Sequence, residues 1–265
     1  MILNILIFFL FGLIIGSFLS VIVSRTETGE SIISGRSKCP KCKKKIKSYD
    51  LVPVLSFFIL RGECRNCKNK ISAFYPLIEI VTGTCFALLY WRFYSVFASF
   101  DSYLFLAIHM IIISALVVIL FYDSFYLIIP DKITYPVLGS IVLLSLVNIF
   151  AGLDFFVYNP NLLQWLIGVV IGGGLFLFLV LISKEKWMGW GDVKLGFLLG
   201  AFLGYPLILV GLFFAFLLGS IFGVTLIALK KKKMQDMIPF GPFLVIGSLI
   251  ALFFGRYILS WYFGI

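Results

Sequence analysis

Long apolar runs separated by short polar breaks dominate the chain. The first covers residues 2-23, and others fall at about 73-91, 103-122, 133-152, 162-183, 193-204, 206-229 and 238-263. Most reach the roughly 20 apolar residues that a helix needs to cross a bilayer. Strand-like alternation of apolar and polar positions is absent, so a membrane barrel is not expected. The run 193-229 is long enough for two helices, with Gly204-Tyr205-Pro206 as the turn between them. Its first half, 193-204, is short for a span and is expected to be tilted or half-buried. The pattern predicts an all-α polytopic membrane protein of about eight transmembrane helices.

Charge sharpens this picture. Only 13% of the 265 residues are charged, against about a quarter in soluble domains. Residues 24-72 differ from the rest, holding 12 of the 22 basic residues against the acids Glu27, Glu30, Asp50 and Glu63. No Lys or Arg precedes the first run, and the first basic residue is Arg25. A cleavable signal would carry positive charge ahead of its apolar core, so the run reads as a retained anchor with its N-terminus outside. With that start, segments 24-72, 123-132, 184-194 and 230-237 face the cytosol and contain 20 of the 22 basic residues. Arg92 and Arg256 are the exceptions. The positive-inside rule therefore supports eight crossings. Removing one would put Lys230-Lys231-Lys232-Lys233, expected against anionic lipid, on the wrong side. The net charge of +10 follows the topology and does not imply nucleic acid. Three domains are expected: a first helix at 1-23, a basic cytosolic insertion at 24-72 and a transmembrane bundle at 73-265.

Carboxylates at membrane depth are costly and point to function. In Met188-Gly189-Trp190-Gly191-Asp192-Val193-Lys194-Leu195 one stands at the head of an apolar run, behind two glycines. Asp123, at the end of the third span, falls on the same cytosolic boundary. Two converging carboxylates can share a proton, so that one activates water while the other donates to a leaving group. Asp131 is a rival for the first position, although Pro130 separates it from Asp123. Its alternative role is to cap the fourth span. Spacing alone leaves both candidates open.

Cys39-Pro40-Lys41-Cys42 and Cys64-Arg65-Asn66-Cys67 are two CxxC knuckles. Each offers two thiolates to one tetrahedral ion, and together they read as a structural zinc ribbon with four cysteine ligands. The competing disulfide reading conflicts with a cytosolic location. Cys85 stands alone inside the second span and reads as a packing residue.

These motifs resemble those of the bacterial prepilin peptidases, and the resemblance extends over nearly the whole chain. It is carried by Gly16-Ser17-Phe18-Leu19-Ser20-Val21, both knuckles, Asp50-Leu51-Val52-Pro53 and Tyr75-Pro76-Leu77-Ile78-Glu79. Tyr122-Asp123, Ile129-Pro130-Asp131, the Gly-x-Gly-Asp-x-Lys motif and Ile238-Pro239-Phe240-Gly241-Pro242 follow in order. The resemblance implies an intramembrane-type aspartyl endopeptidase with catalytic Asp123 and Asp192, settling the choice over Asp131. It implies prepilin or pseudopilin substrates with a short basic leader, cut at the cytosolic boundary of the bacterial inner membrane. It also implies N-methylation of the new N-terminus with S-adenosylmethionine. Two departures fall in the segment associated with methylation: Arg25-Thr26-Glu27 replaces an Arg-Leu-Pro sequence, and Asp50 stands where Asn is common.

The remaining polar residues receive plainer expectations. Glu79 is read either as a hydrogen bond within the bundle or as a holder of the substrate's positive N-terminus. His109 is expected to satisfy a neighbouring helix, and Lys194 to snorkel to the interface. Asp192, at the positive end of a helix dipole, is expected to be the ionised base, with Asp123 carrying the shared proton. Two alternatives to the peptidase are a proton-coupled transporter using Asp123, Asp192 and Glu79, and a zinc-ribbon membrane adaptor.

Overall fold

The structure is a computed structural model and describes residues 1–28, 31, 37–93, 100–151, 161–231 and 238–264. Glu30, Lys232 and Lys233 lie outside the described residues. Among those described, the regular structure is helical, with two isolated antiparallel bridges, Lys38 with Lys45 and Glu63 with Lys70. The chain divides into two compact units, Met1–Phe97 and Ala98–Ile265. Among the described residues, seven helices are long and apolar enough to cross a membrane.

The first unit pairs α1 (Ile2–Thr28) with α3 (Phe74–Phe93); a single 3-10 turn, Ser48–Leu51, and the short α2 (Leu55–Ile59) lie between them in sequence. Small residues bring the two long backbones together. A Cβ added at Gly12 would stand 2.7 Å from the Gly83 Cα, and one at Gly16 would stand 2.6 Å from the Glu79 Cα. Lipid tails are as apolar as the helices, so close packing of this kind replaces hydrophobic driving force. Near the far end Asn4 donates to the Tyr90 hydroxyl at 2.7 Å, and Phe8 stacks on the Tyr90 ring.

The second unit is a bundle of α4 (Phe100–Tyr126), α5 (Asp131–Ala151), α6 (Leu162–Ser183), α7 (Trp190–Leu203), α8 (Leu207–Ala228) and α9 (Gly241–Phe263). Its core is built from α4 residues Ile113, Leu116 and Ile119 and from α7 residues Leu195, Leu198 and Leu199, all fully buried. The expected break between α7 and α8 is present, with Gly204 at φ +66° closing α7. Helix α7 has only 14 residues, about 21 Å of helix, against a hydrocarbon core of about 30 Å. It tolerates this because neighbouring helices enclose it: Val193, Leu195, Gly196 and every residue from Leu198 to Leu203 are buried. Gly168 and Gly172 of α6 face Gly196, Gly200 and Gly204, and a Cβ at Gly172 would lie 2.6 Å from the Gly196 carbonyl oxygen. The Trp165 indole N–H fastens the same crossing by donating to the Ala201 carbonyl at 3.1 Å.

Candidate active site

Asp123 sits in the last turn of α4, and its carbonyl accepts the Leu127 N–H that ends the helix. Its side chain is buried. There the carboxylate accepts the backbone N–H of Gly241, the first residue of α9. That N–H is free to donate because the first amides of a helix have no partner within it. The approach is close enough that a Cβ on Gly241 would stand 2.5 Å from Asp123 Oδ2.

Asp192 lies in the first turn of α7 and is half-buried. Its Oδ2 accepts the N–H of the N-cap residue Gly189 at 3.3 Å, so it caps its own helix. Gly191 packs against Ile129 in the connection that follows Asp123; a Cβ there would lie 3.2 Å from the Ile129 Cδ1. The two carboxylates are near enough to interact electrostatically. Each also accepts an N–H at a helix N-terminus. The dipole asymmetry expected from the sequence is therefore offset, because α9 presents its positive end to Asp123 at the C-terminal end of α4.

Asp131 is placed differently. Pro130 ends the connection and Asp131 opens α5, so α4 and α5 put the two aspartates on separate helices. The Asp131 carboxylate accepts the Lys194 ammonium at 2.7 Å. Lys194 does point away from Asp192, as a spacing of two on a helix requires. Its ammonium pairs with Asp131 and lies over the Tyr135 ring, 5.3 Å from its centroid. The sequence did not show this partner because it is 63 residues away.

In the first unit, the four knuckle cysteines bring their sulfurs within 4.8 Å of one another, and all are free thiols. The knuckles repeat one geometry. Lys43 N–H returns to the Cys39 carbonyl and Cys39 N–H to that of Lys44. In the second knuckle Lys68 N–H returns to Cys64 and Cys64 N–H to Asn69. Lys43 and Lys68 both take left-handed backbone, at φ +59° and +57°. The 3.8 Å between the Cys39 and Cys67 sulfurs fits the edge of a tetrahedron with Zn–S bonds of about 2.3 Å. The backbone N–H of Cys42 holds the Cys39 thiol down to about 6, against the opposing effect of burial. That N–H therefore favours the thiolate a metal requires.

Asp50 and Arg65 tie the second knuckle to the 3-10 turn. Arg65 Nη2 meets Asp50 Oδ1 at 2.7 Å, its Nε donates to the same carboxylate, and its guanidinium lies over the Tyr49 ring. An Asn at position 50 would supply one acceptor oxygen and no charge. The Asp in this chain thus has a specific ionic partner.

Glu79 is buried and accepts the Val54 N–H at 2.7 Å, with the Ser17 hydroxyl as a second donor. These donors lie in the 24-72 segment and in α1, not in the bundle at 73-265. Val54 stands at φ +60°, ψ −52°, with Leu55 N–H reaching back to the Pro53 carbonyl at 2.6 Å. This is a γ-turn of the strained positive-φ kind, uncommon for a β-branched residue. His109 is fully buried, but its Nδ1 bonds the Phe105 carbonyl of its own helix rather than a neighbour's. Its ring also packs, tilted, on Phe202 of the neighbouring α7.

Comparison with known proteins gives a consistent picture over almost the whole length. The family model described as Bacterial Peptidase A24 N-terminal domain matches residues 10–93, and that of the Type IV leader peptidase family matches residues 110–224. A prepilin leader peptidase/N-methyltransferase of Bacillus subtilis is 31% identical over 97% of this chain and 96% of its own. A protein of the same name from Aeromonas salmonicida is 30% identical, covering 96% and 92%. A third, from Legionella pneumophila, is 32% identical over 86% and 76%. No solved structure matches the chain.

Proposed function

The chain belongs to the type IV leader peptidase family, and from that premise we propose that Asp123 and Asp192 are the catalytic pair with which it cleaves prepilins. It is a multi-pass membrane aspartic endopeptidase that removes the leader from type IV prepilins or pseudopilins and N-methylates the product. The observation that carries the assignment is geometric: the buried Asp123 ends α4 and the half-buried Asp192 opens α7, with Gly191 of α7 packed on Ile129 in the connection that follows Asp123. One carboxylate takes a proton from water, whose oxygen attacks the scissile carbonyl carbon. The other delivers the shared proton to the carbonyl oxygen and then supports its transfer to the leaving amide nitrogen. The C–N bond breaks, and the pair returns to its singly protonated state.

Orientation supports the same reading. With the N-terminus outside, the basic segments face the cytosol, and the pair stands at the cytosolic boundary where a basic leader meets an apolar helix. Cys39, Cys42, Cys64 and Cys67 would hold one zinc ion, whose role with four protein ligands is to fix the fold of residues 24-72. S-adenosylmethionine, when bound, would supply the methyl group from its sulfonium to the new N-terminal amine, leaving S-adenosylhomocysteine and a proton.

The test uses purified full-length enzyme with a prepilin, with and without S-adenosylmethionine. Mass spectrometry should find a leaderless product in both reactions, one methyl heavier when the donor is present. Failure to release the leader from any prepilin or pseudopilin of the source cell would reject the reading.

A further inference from the structure

We propose that Asp131 and Lys194 form a positioning pair for peptide cleavage, locking the start of α7 to the α4–α5 connection so that Asp192 faces Asp123. The inference rests on the catalytic pair proposed above. It concerns residues outside that pair, since the Lys194 ammonium bonds Asp131 and not Asp192.

The end of α7 that carries Asp192 follows an exposed connection. The preceding segment contains Lys184 and Glu185 in left-handed backbone, and both are exposed, as are Lys186 and Trp187. The glycine crossing with α6 grips α7 at Gly196 and Gly200, one and two turns beyond Asp192. At the first turn the Trp190 indole N–H donates to Glu185 within that exposed segment, while Gly191 seats on Ile129 and Lys194 bonds Asp131 and covers Tyr135, all three on one stretch of chain. That stretch directly follows Asp123, whose carbonyl accepts the Leu127 N–H. The two contacts therefore link the end of the helix carrying one aspartate to the start of the helix carrying the other.

Helix geometry gives the ion pair a particular role. Residues two apart are separated by about 200° around the axis, so Lys194 holds α7 on the face opposite Asp192. A tie on that face fixes rotation about the axis, and rotation is what would swing Asp192 toward or away from its partner. The side chains are 26% and 54% exposed, and pairs this open contribute little to folding stability. Their effect should therefore appear in the chemical step. Displacement of a catalytic group by about 1 Å can cost roughly 100-fold in rate.

The experiment measures kcat and KM for prepilin cleavage by the full-length enzyme and by Asp131→Asn, Lys194→Met, the double variant and Lys194→Arg. Each single loss should lower kcat roughly ten-fold, with KM and unfolding temperature nearly unchanged. The double variant should be no worse than either single, because both remove the same interaction. Lys194→Arg, which keeps the charge and donors, should recover most of the rate. Single variants with wild-type kcat, losses that multiply in the double variant, or a change confined to KM would each overturn the pair. Asp123→Asn in the same assay separates the two claims. If it is inactive while the ion-pair variants are normal, only the positioning role fails; if it cleaves normally, the catalytic assignment fails first.

Discussion

Gly241 fits no other residue well because its amide and its missing side chain serve Asp123 together. The amide donates to the carboxylate, and any Cβ would press on Oδ2. Gly241→Ala should leave the protein inserted but lower cleavage by about 100-fold, the cost expected of a displaced catalytic group; a rate within about two-fold of wild type would show that Asp123 has room to move. Glu79 offers a residue-scale test in the other unit. Replacing it with Leu removes the acceptor for the Val54 N–H, which should cost about 1–3 kcal/mol and expose the segment around Val54 and α2 to faster proteolysis. Glu79→Gln, which keeps an acceptor oxygen, should retain most of the protection. At this scale the sequence was legible where chemistry is local. Asp192 behind its glycines stood out, as did the CxxC repeats. The partners of Lys194 and Asp123 did not, because an ion pair with Asp131 and a hydrogen bond from Gly241 depend on helices that meet only after folding.

Among the elements, the two knuckles and α7 carry the strongest expectations. Elemental analysis of purified protein should find about one zinc per chain, lost when Cys39 and Cys64 become Ser. The Cys42 amide holds the Cys39 thiol down to about 6, whereas at Cys67 the Asn69 amide is outweighed by desolvation and the neighbouring sulfurs, which push that thiol up to about 11, so protons compete with metal through neutral pH. Zinc loss to a chelator should grow as the pH falls, and a metal-free protein at neutral pH would contradict the ribbon. The knuckles were readable because a C-x-x-C spacing carries its own geometry. The γ-turn at Val54 was not readable, since a β-branched residue is a poor local choice for positive φ and only the buried Glu79 explains it. Helix α7 was legible as a short apolar run. Its enclosure was not, because it depends on glycines far apart in sequence, Gly172 with both Gly196 and Gly200.

For the whole molecule, charge distribution predicts how the helices are threaded. If α7 crosses the membrane despite its length, Tyr205 and Gly264 should face outward and Lys231 inward. A membrane-impermeant thiol reagent applied to intact cells should then label Tyr205→Cys and Gly264→Cys but leave Lys231→Cys untouched; the reverse pattern would show a different number of crossings. Under that threading the two carboxylates would share one boundary of the bilayer, and the central proposal is that these two, and not Asp131, break the peptide bond. The most direct measurement is single-turnover cleavage of a prepilin by membrane-inserted Asp123→Asn, Asp192→Asn and Asp131→Asn. The first two should lose at least about 10³-fold in rate, while Asp131→Asn should fall only about ten-fold, as expected for a residue that orients the site. Cleavage that survives either Asp123→Asn or Asp192→Asn but vanishes with Asp131→Asn would contradict the account.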